Sequence, residues 1–137
     1  QTNETQEKAS VLLVDDSPVS LQYTGHILNE SGLFDVVMAA TVGEAREILQ
    51  SRRLNLVITD YEMPEMNGTE FINFIRQHPS FNGVGTILLT GNVNEIAELA
   101  GCADGYVAKS EVPEVLVARA RSISDIYKRM AQVRVQV

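Results

Sequence analysis

The chain has 137 residues, of which 45% are hydrophobic, with a single cysteine and a formal net charge of -7. That length and apolar content suit one globular domain with its own core, needing neither disulfides nor a structural metal. The acidic balance argues against direct nucleic-acid binding, which rewards clustered lysine and arginine, and no apolar run approaches the roughly 20 residues that span a bilayer.

Residues 1–9 are polar and read as a flexible lead-in, without the basic start or apolar centre of a signal peptide. Together with the lone Cys102 they point to a cytoplasmic protein. From Ser10 onward short apolar runs alternate with stretches of helical period: VLLV (11–14), DVVMA (35–39), LVIT (56–59), TILL (86–89) and GYVA (105–108). Runs that are continuously apolar, rather than alternating, fit parallel strands covered by helices on both faces.

Between the strands the helix signals repeat. Ser17-Pro18 predicts a cap followed by proline at the first helical position, with Val19, Tyr23 and Ile27 on one face and Ser31-Gly32 as the stop. Thr41 with Glu44, Asn67 with Glu70, and Asn92 with Glu95 each place a capping side chain three residues before a glutamate that can reach back. Phe71, Phe74 and Ile75 form the core stripe expected of the third helix. A closing helix opens at Pro113 and carries Leu116, Ala120, Ile123, Tyr127 and Met130 down one stripe. The domain is expected over residues 10–130, leaving 131–137 as an extension that reads equally as helix, linker or short strand. Five βα units with right-handed crossovers make a doubly wound α/β sheet, whose ligands lie outside the carboxyl ends of the strands.

At those ends stand Asp15-Asp16 after the first strand, Asp60 after the third, Thr90 after the fourth and Lys109 after the fifth. Any one of them alone is readily a cap or turn residue. Three carboxylates in one crevice repel each other unless a cation intervenes, and Lys109 brings one positive charge. Hard oxygen donors of this kind suit Mg²⁺.

In its VDD after strand one, DYEMPEMNG after strand three, Thr90 and Lys109, the chain resembles the receiver domains of two-component response regulators. The resemblance covers about residues 9–130 and implies a flavodoxin-like (βα)5 fold with strand order 2-1-3-4-5. It also implies that Asp60 is the phosphoacceptor, taking a phosphoryl group from the phosphohistidine of a sensor histidine kinase or histidine phosphotransfer protein. Asp15, Asp16, Asp60 and the backbone carbonyl of Glu62 would hold Mg²⁺, and Lys109 and Thr90 would bind the phosphoryl oxygens. Tyr106 would be the aromatic that responds, switching the surface of helix 4, strand 5 and helix 5 toward an output domain or downstream protein. Glu62 and Asn92 would tune phosphate lifetime. On this basis the chain is expected to be a signalling phosphoacceptor that catalyses its own phosphotransfer from the donor and its own dephosphorylation, rather than a turnover enzyme, and its closing helix is a candidate homodimer surface.

Some features depart from the family pattern or carry less weight. Thr90 and Lys109 lie close together for a receiver, so the fourth helix is expected to be short. Ser110 follows Lys109 where receivers usually have proline, which leaves the Lys109–Ser110 bond open between trans and a cis form costing roughly 3 kcal/mol. Gly68 is expected to supply a positive φ beside the site. His26 and His78 have no partner at useful spacing and read as structural or solvated. An aspartyl-phosphate phosphatase and a flavodoxin-like small-molecule binder are the competing readings. The first would want an Asp-x-Asp on the first strand, and the second would not need the full set of strand-end residues.

Overall fold

In the computed structural model the described residues are 7–81, 83–91 and 103–136. Their elements are β1 (Ala9–Val14), α1 (Pro18–Glu30), β2 (Phe34–Ala39), α2 (Val42–Ser51), β3 (Leu56–Asp60), α3 (Gly68–Gln77), β4 (Gly85–Thr90), β5 (Gly105–Ala108) and a closing helix α4 (Pro113–Gln136). The fourth helix expected from the sequence, with its Asn92–Glu95 cap, falls outside the described residues.

All five strands pair in parallel in the order β2-β1-β3-β4-β5. β3 and β4 are buried at every position, as expected of central strands covered on both sides. Successive residues of β1 feed opposite faces. Val11 and Leu13 join the core beneath α1 and α4 with Leu28, Leu116, Ala120 and Ile123. Leu12 and Val14 join the core beneath α2 and α3 with Ala45, Leu49, Phe71 and Ile75. The central strands are thus covered on both faces, while the edge strand β2 exposes Asp35 and Met38 to solvent.

The helix starts follow their caps. Ser17 accepts a hydrogen bond from the Ser20 amide at 3.3 Å, and Thr41 accepts one from Glu44 at 3.1 Å. Asn67 and Glu70 form a complete reciprocal box, both bonds at 2.9 Å. Glu44 reaches one residue further back than expected and accepts from the Ala40 amide at 2.8 Å.

Three expectations are corrected by the packing. On α1, Val19 and Tyr23 are 80% and 60% exposed, while the buried residues are Thr24, Gly25 and Leu28, with Leu21 packed beside them. Leu21, Thr24, Gly25 and Leu28 also follow a helical spacing, but a threonine and a glycine interrupt its apolar character and hide it from a hydrophobicity count. On α4 the stripe from Leu116 to Ile123 is buried, whereas Met130 is 42% exposed, because the helix continues past the sheet through Gln136. The terminal residues after 130 are therefore helix, not linker or strand, as far as Gln136. Positive φ occurs at Gly32 (74°), where α1 stops, and not at Gly68. All peptide bonds among the described residues are trans, Lys109–Ser110 included.

At the base of the sheet, opposite the carboxyl ends of the strands, a polar latch joins elements far apart in sequence. Arg76 of α3 donates to the Val84 carbonyl at 2.9 Å and to the Thr86 hydroxyl at 3.1 Å, and pairs with Asp104. Asp104 also accepts from the Thr86 amide at 2.9 Å, and the Tyr127 hydroxyl of α4 lies 3.1 Å from both of its carboxylate oxygens. Gly85 completes the fit, since a Cβ there would stand 2.6 Å from Ile123 and 3.0 Å from the Tyr127 ring.

Burial, reinforced by the field of Asp104, holds the Tyr127 phenol above its ordinary pKa of 10.0. A raised folded pKa contributes stability that is complete below the unfolded value and is lost as pH climbs through the folded one. Tyr127→Phe should therefore cost about 1 kcal/mol at pH 8, and the gap between variant and parent should narrow as pH rises above the ordinary phenol value. Urea unfolding across that range measures it; a gap independent of pH would contradict the assignment.

Candidate functional site

Parallel pairing brings the carboxyl ends of β1, β3, β4 and β5 to one rim, and each end delivers a polar residue. Asp15 follows β1, its amide still bonded to the Ala39 carbonyl of β2 at 3.1 Å. Asp60 is the last residue of β3, opposite Leu89 of β4. Thr90 closes β4 in the buried layer, and its carbonyl accepts from the Lys109 amide at 2.8 Å, fixing where the lysine leaves β5.

Asp15 and Asp60 are 1% and 6% exposed, while Asp16 is open to solvent. One carboxylate oxygen from each of the three lies within 4.8 Å of the others. The Lys109 ammonium reaches Asp60 at 3.0 Å and Asp15 at 3.4 Å, and it also approaches the Ser20 hydroxyl at 3.4 Å. The second oxygen of Asp15 accepts from the Ser17 amide at 3.0 Å. Ser20 was not singled out from the sequence, because a serine in the first turn of a helix carries no signal that a lysine 89 residues away will meet it.

Burial raises the Asp60 pKa, and the neighbouring Asp15 charge adds to that, while the Lys109 hydrogen bond opposes them. Burial also works against the Lys109 charge, yet its bond to Asp60 and the fields of Asp60 and Asp15 prevail and raise its pKa above 10.5. With the three carboxylates ionised against one ammonium, the cluster carries two uncompensated negative charges. That donor set, oxygen only and converging, fits a hard divalent cation.

The cluster opens into a cleft of about 650 Å³ lined by Asp16, Asp60, Glu62, Met63, Asn67 and Lys109, among others. Glu62, two residues beyond Asp60, is among the lining residues. Tyr106 stands on β5 opposite Leu88, half-buried and outside the cleft lining, and its hydroxyl accepts from the Ala103 amide at 2.9 Å. Asn92 falls outside the described residues. His78, read as structural or solvated, stacks on Phe81 with ring centroids 4.0 Å apart and accepts from the Ser80 amide. No helix among the described residues is long and apolar enough to cross a membrane.

The profile of the response regulator receiver domain matches residues 11–121, and the chain belongs to that family. It is 33% identical over 121 residues to the response regulator Rre1 of Synechocystis, covering 85% of this chain and 52% of that protein. It is 32% identical over 110 residues to the chemotaxis protein CheY1 of Helicobacter pylori, covering 77% of this chain and 89% of that one. Among solved structures it is similar to a CheY-like receiver domain protein of Methanospirillum hungatei, with a TM-score of 0.77, 28% identity and coverage of 90% and 99%. The chain spans about half the length of Rre1 and of the transcriptional regulatory protein YvrH of Bacillus subtilis, which it also matches. Receiver domains are signalling phosphoacceptors of two-component systems, phosphorylated on aspartate; they bind Mg²⁺ at an acidic pocket and interact with histidine kinases and output domains.

Gly68 has a role here that its backbone angle does not reveal. Its amide donates to the Tyr61 carbonyl at 2.6 Å, and a Cβ would stand 2.4 Å from the Asp60 carbonyl oxygen and 2.6 Å from Leu88. Gly68→Ala should push α3 off the end of β3 and lower stability by about 1–3 kcal/mol, with amide shifts concentrated at Asp60 and Tyr61. Unfolding curves and amide spectra matching the parent would show that the loop has room to spare.

Proposed function

We propose that this chain receives a phosphoryl group on Asp60 from the phosphohistidine of a sensor histidine kinase or histidine phosphotransfer protein. The observation that carries the reading is the buried Asp60 carboxylate, held by Lys109 and facing Asp15 and Asp16 across a cleft open to solvent. An Asp60 oxygen attacks phosphorus, a new P–O bond forms, and the P–N bond breaks with its electron pair returning to the imidazole. Catalysis of such a transfer rests on positioning and on neutralising charge around the moving oxygens.

Asp15, Asp16, Asp60 and the Glu62 backbone carbonyl would hold Mg²⁺, which when bound supplies the missing positive charge. Lys109 orients the Asp60 carboxylate before transfer and can turn its ammonium to a phosphoryl oxygen afterwards, a task suited to a compact charge on a flexible stem. Thr90, on the neighbouring strand end, offers a hydroxyl to another phosphoryl oxygen. Glu62, which lines the cleft, and Asn92, by its place two residues after Thr90 in the sequence, would tune the rate of self-catalysed dephosphorylation.

The aspartyl phosphate carries roughly one to two more negative charges than the carboxylate. Tyr106 is the element that converts this charge into a changed surface: its hydroxyl holds the Ala103 amide, so a turn of the ring toward the rim releases the chain that leads into β5. The surface around that chain, β5 and the closing helix is where an output domain, a downstream protein or a second copy would sense the change. The lone cysteine and the phosphohistidine donor favour a cytoplasmic setting.

Incubation with Mg²⁺ and acetyl phosphate, followed by intact mass measurement, should add one phosphoryl group. The adduct should disappear in Asp60→Ala and on chelation of the metal, and Lys109→Ala should slow its formation by about tenfold or more. An adduct that survives Asp60→Ala would overturn the assignment, and sustained turnover of phosphate esters would favour a phosphatase.

A further inference from the structure

At the end of the sheet opposite the aspartates, a second cleft of about 430 Å³ opens between the C-terminal end of α2, the chain leading into β4 and the closing helix. Arg52 and Arg53 both line it, and both are exposed. Neither has an ion-pair partner among the described residues, whose ion pairs involve Arg76 and Lys109 alone. No aspartate or glutamate among the described residues shares the lining. In a chain with 18 acidic and 11 basic side chains, a cavity whose charged lining among the described residues is two arginines is electrostatically out of balance.

We propose that this cleft binds a small organic anion with a phosphate or carboxylate head. An anion entering the cleft meets the positive charge of both arginines, and a guanidinium offers a phosphate or carboxylate forked hydrogen bonds. Of the uncharged polar side chains in the lining, the Asn55 oxygen accepts from the Ser10 amide and the Ser51 hydroxyl donates to the Ile48 carbonyl. The arginines supply the charged donors for the head group.

The wall beneath is apolar, formed by Leu49, Leu54, Phe81 and Val84, all nearly buried. That suits a ligand with an uncharged body as well as an anionic head. An extended nucleic acid is disfavoured, since the cleft is short and the chain is acidic overall. The cleft lies apart from the phosphoacceptor rim and shares no residue with the cleft lined by Asp60 and Lys109.

The test is an amide-resolved NMR titration of the whole chain without Mg²⁺ at constant ionic strength, using inorganic pyrophosphate, adenosine 5′-monophosphate and citrate as probes. Saturable shifts centred on Arg52, Arg53, Asn55 and Ser80 are expected with at least one probe. Pyrophosphate or the nucleotide acting alone would identify a phosphate head, and citrate acting alone a carboxylate head. Arg52→Ala/Arg53→Ala should weaken binding by about tenfold or more, and Arg52→Lys/Arg53→Lys should fall between it and the parent. Both variants should keep the parent's unfolding midpoint and its uptake of phosphoryl groups from acetyl phosphate. Shifts that never saturate, that map only to the Asp60 and Lys109 rim, or that persist undiminished in the alanine variant would overturn the proposal.

Discussion

The chain is organised around one electrostatic problem: a single ammonium, that of Lys109, sits against two buried carboxylates with a third nearby. The ammonium approaches Asp60 at 3.0 Å and Asp15 at 3.4 Å, and cannot neutralise both together with Asp16. Parallel pairing is what creates the problem, because it stacks the carboxyl ends of non-adjacent chain segments at one edge. The same arrangement makes it useful. Like charges held close, with a net deficit of positive charge, make a donor set of the kind that fits a hard divalent cation.

Rigidity at that rim comes from the layers beneath it. β3 is buried at every residue and ends directly in Asp60, so its carboxylate is aimed by backbone that is packed into both cores. Lys109 is fixed through its own amide to the Thr90 carbonyl. Gly68 lets the first turn of α3 close against the Asp60 carbonyl. The loop that bears Glu62 lies outside the strands, while the strand ends that present Asp60 and Lys109 are held by the sheet.

Much of this could be read from the residues alone. Continuous apolar runs gave the five strands, the caps at Ser17, Thr41 and Asn67 gave helix starts, and the strand-end positions of Asp15, Asp60 and Lys109 gave the cluster. The errors have a common cause. The buried row of α1 includes Thr24 and Gly25, and the exposed one includes Val19 and Tyr23, so apolar periodicity pointed to the wrong face. Gly68 was credited with an unusual backbone angle when its importance is the lack of a side chain, a fact visible only when Asp60 and Leu88 are in place around it. The latch of Arg76, Asp104 and Tyr127 spans 28 and 23 residues between partners, and no local pattern marks such a pairing.

That latch gives the domain two unequal ends. Below, α3, β4, the approach to β5 and the closing helix are riveted by charge and hydrogen bonds; above, the same strands end in groups whose partners can be exchanged. The two ends therefore differ in kind: one is closed by contacts within the protein, while the other presents its charges to a cleft open to solvent.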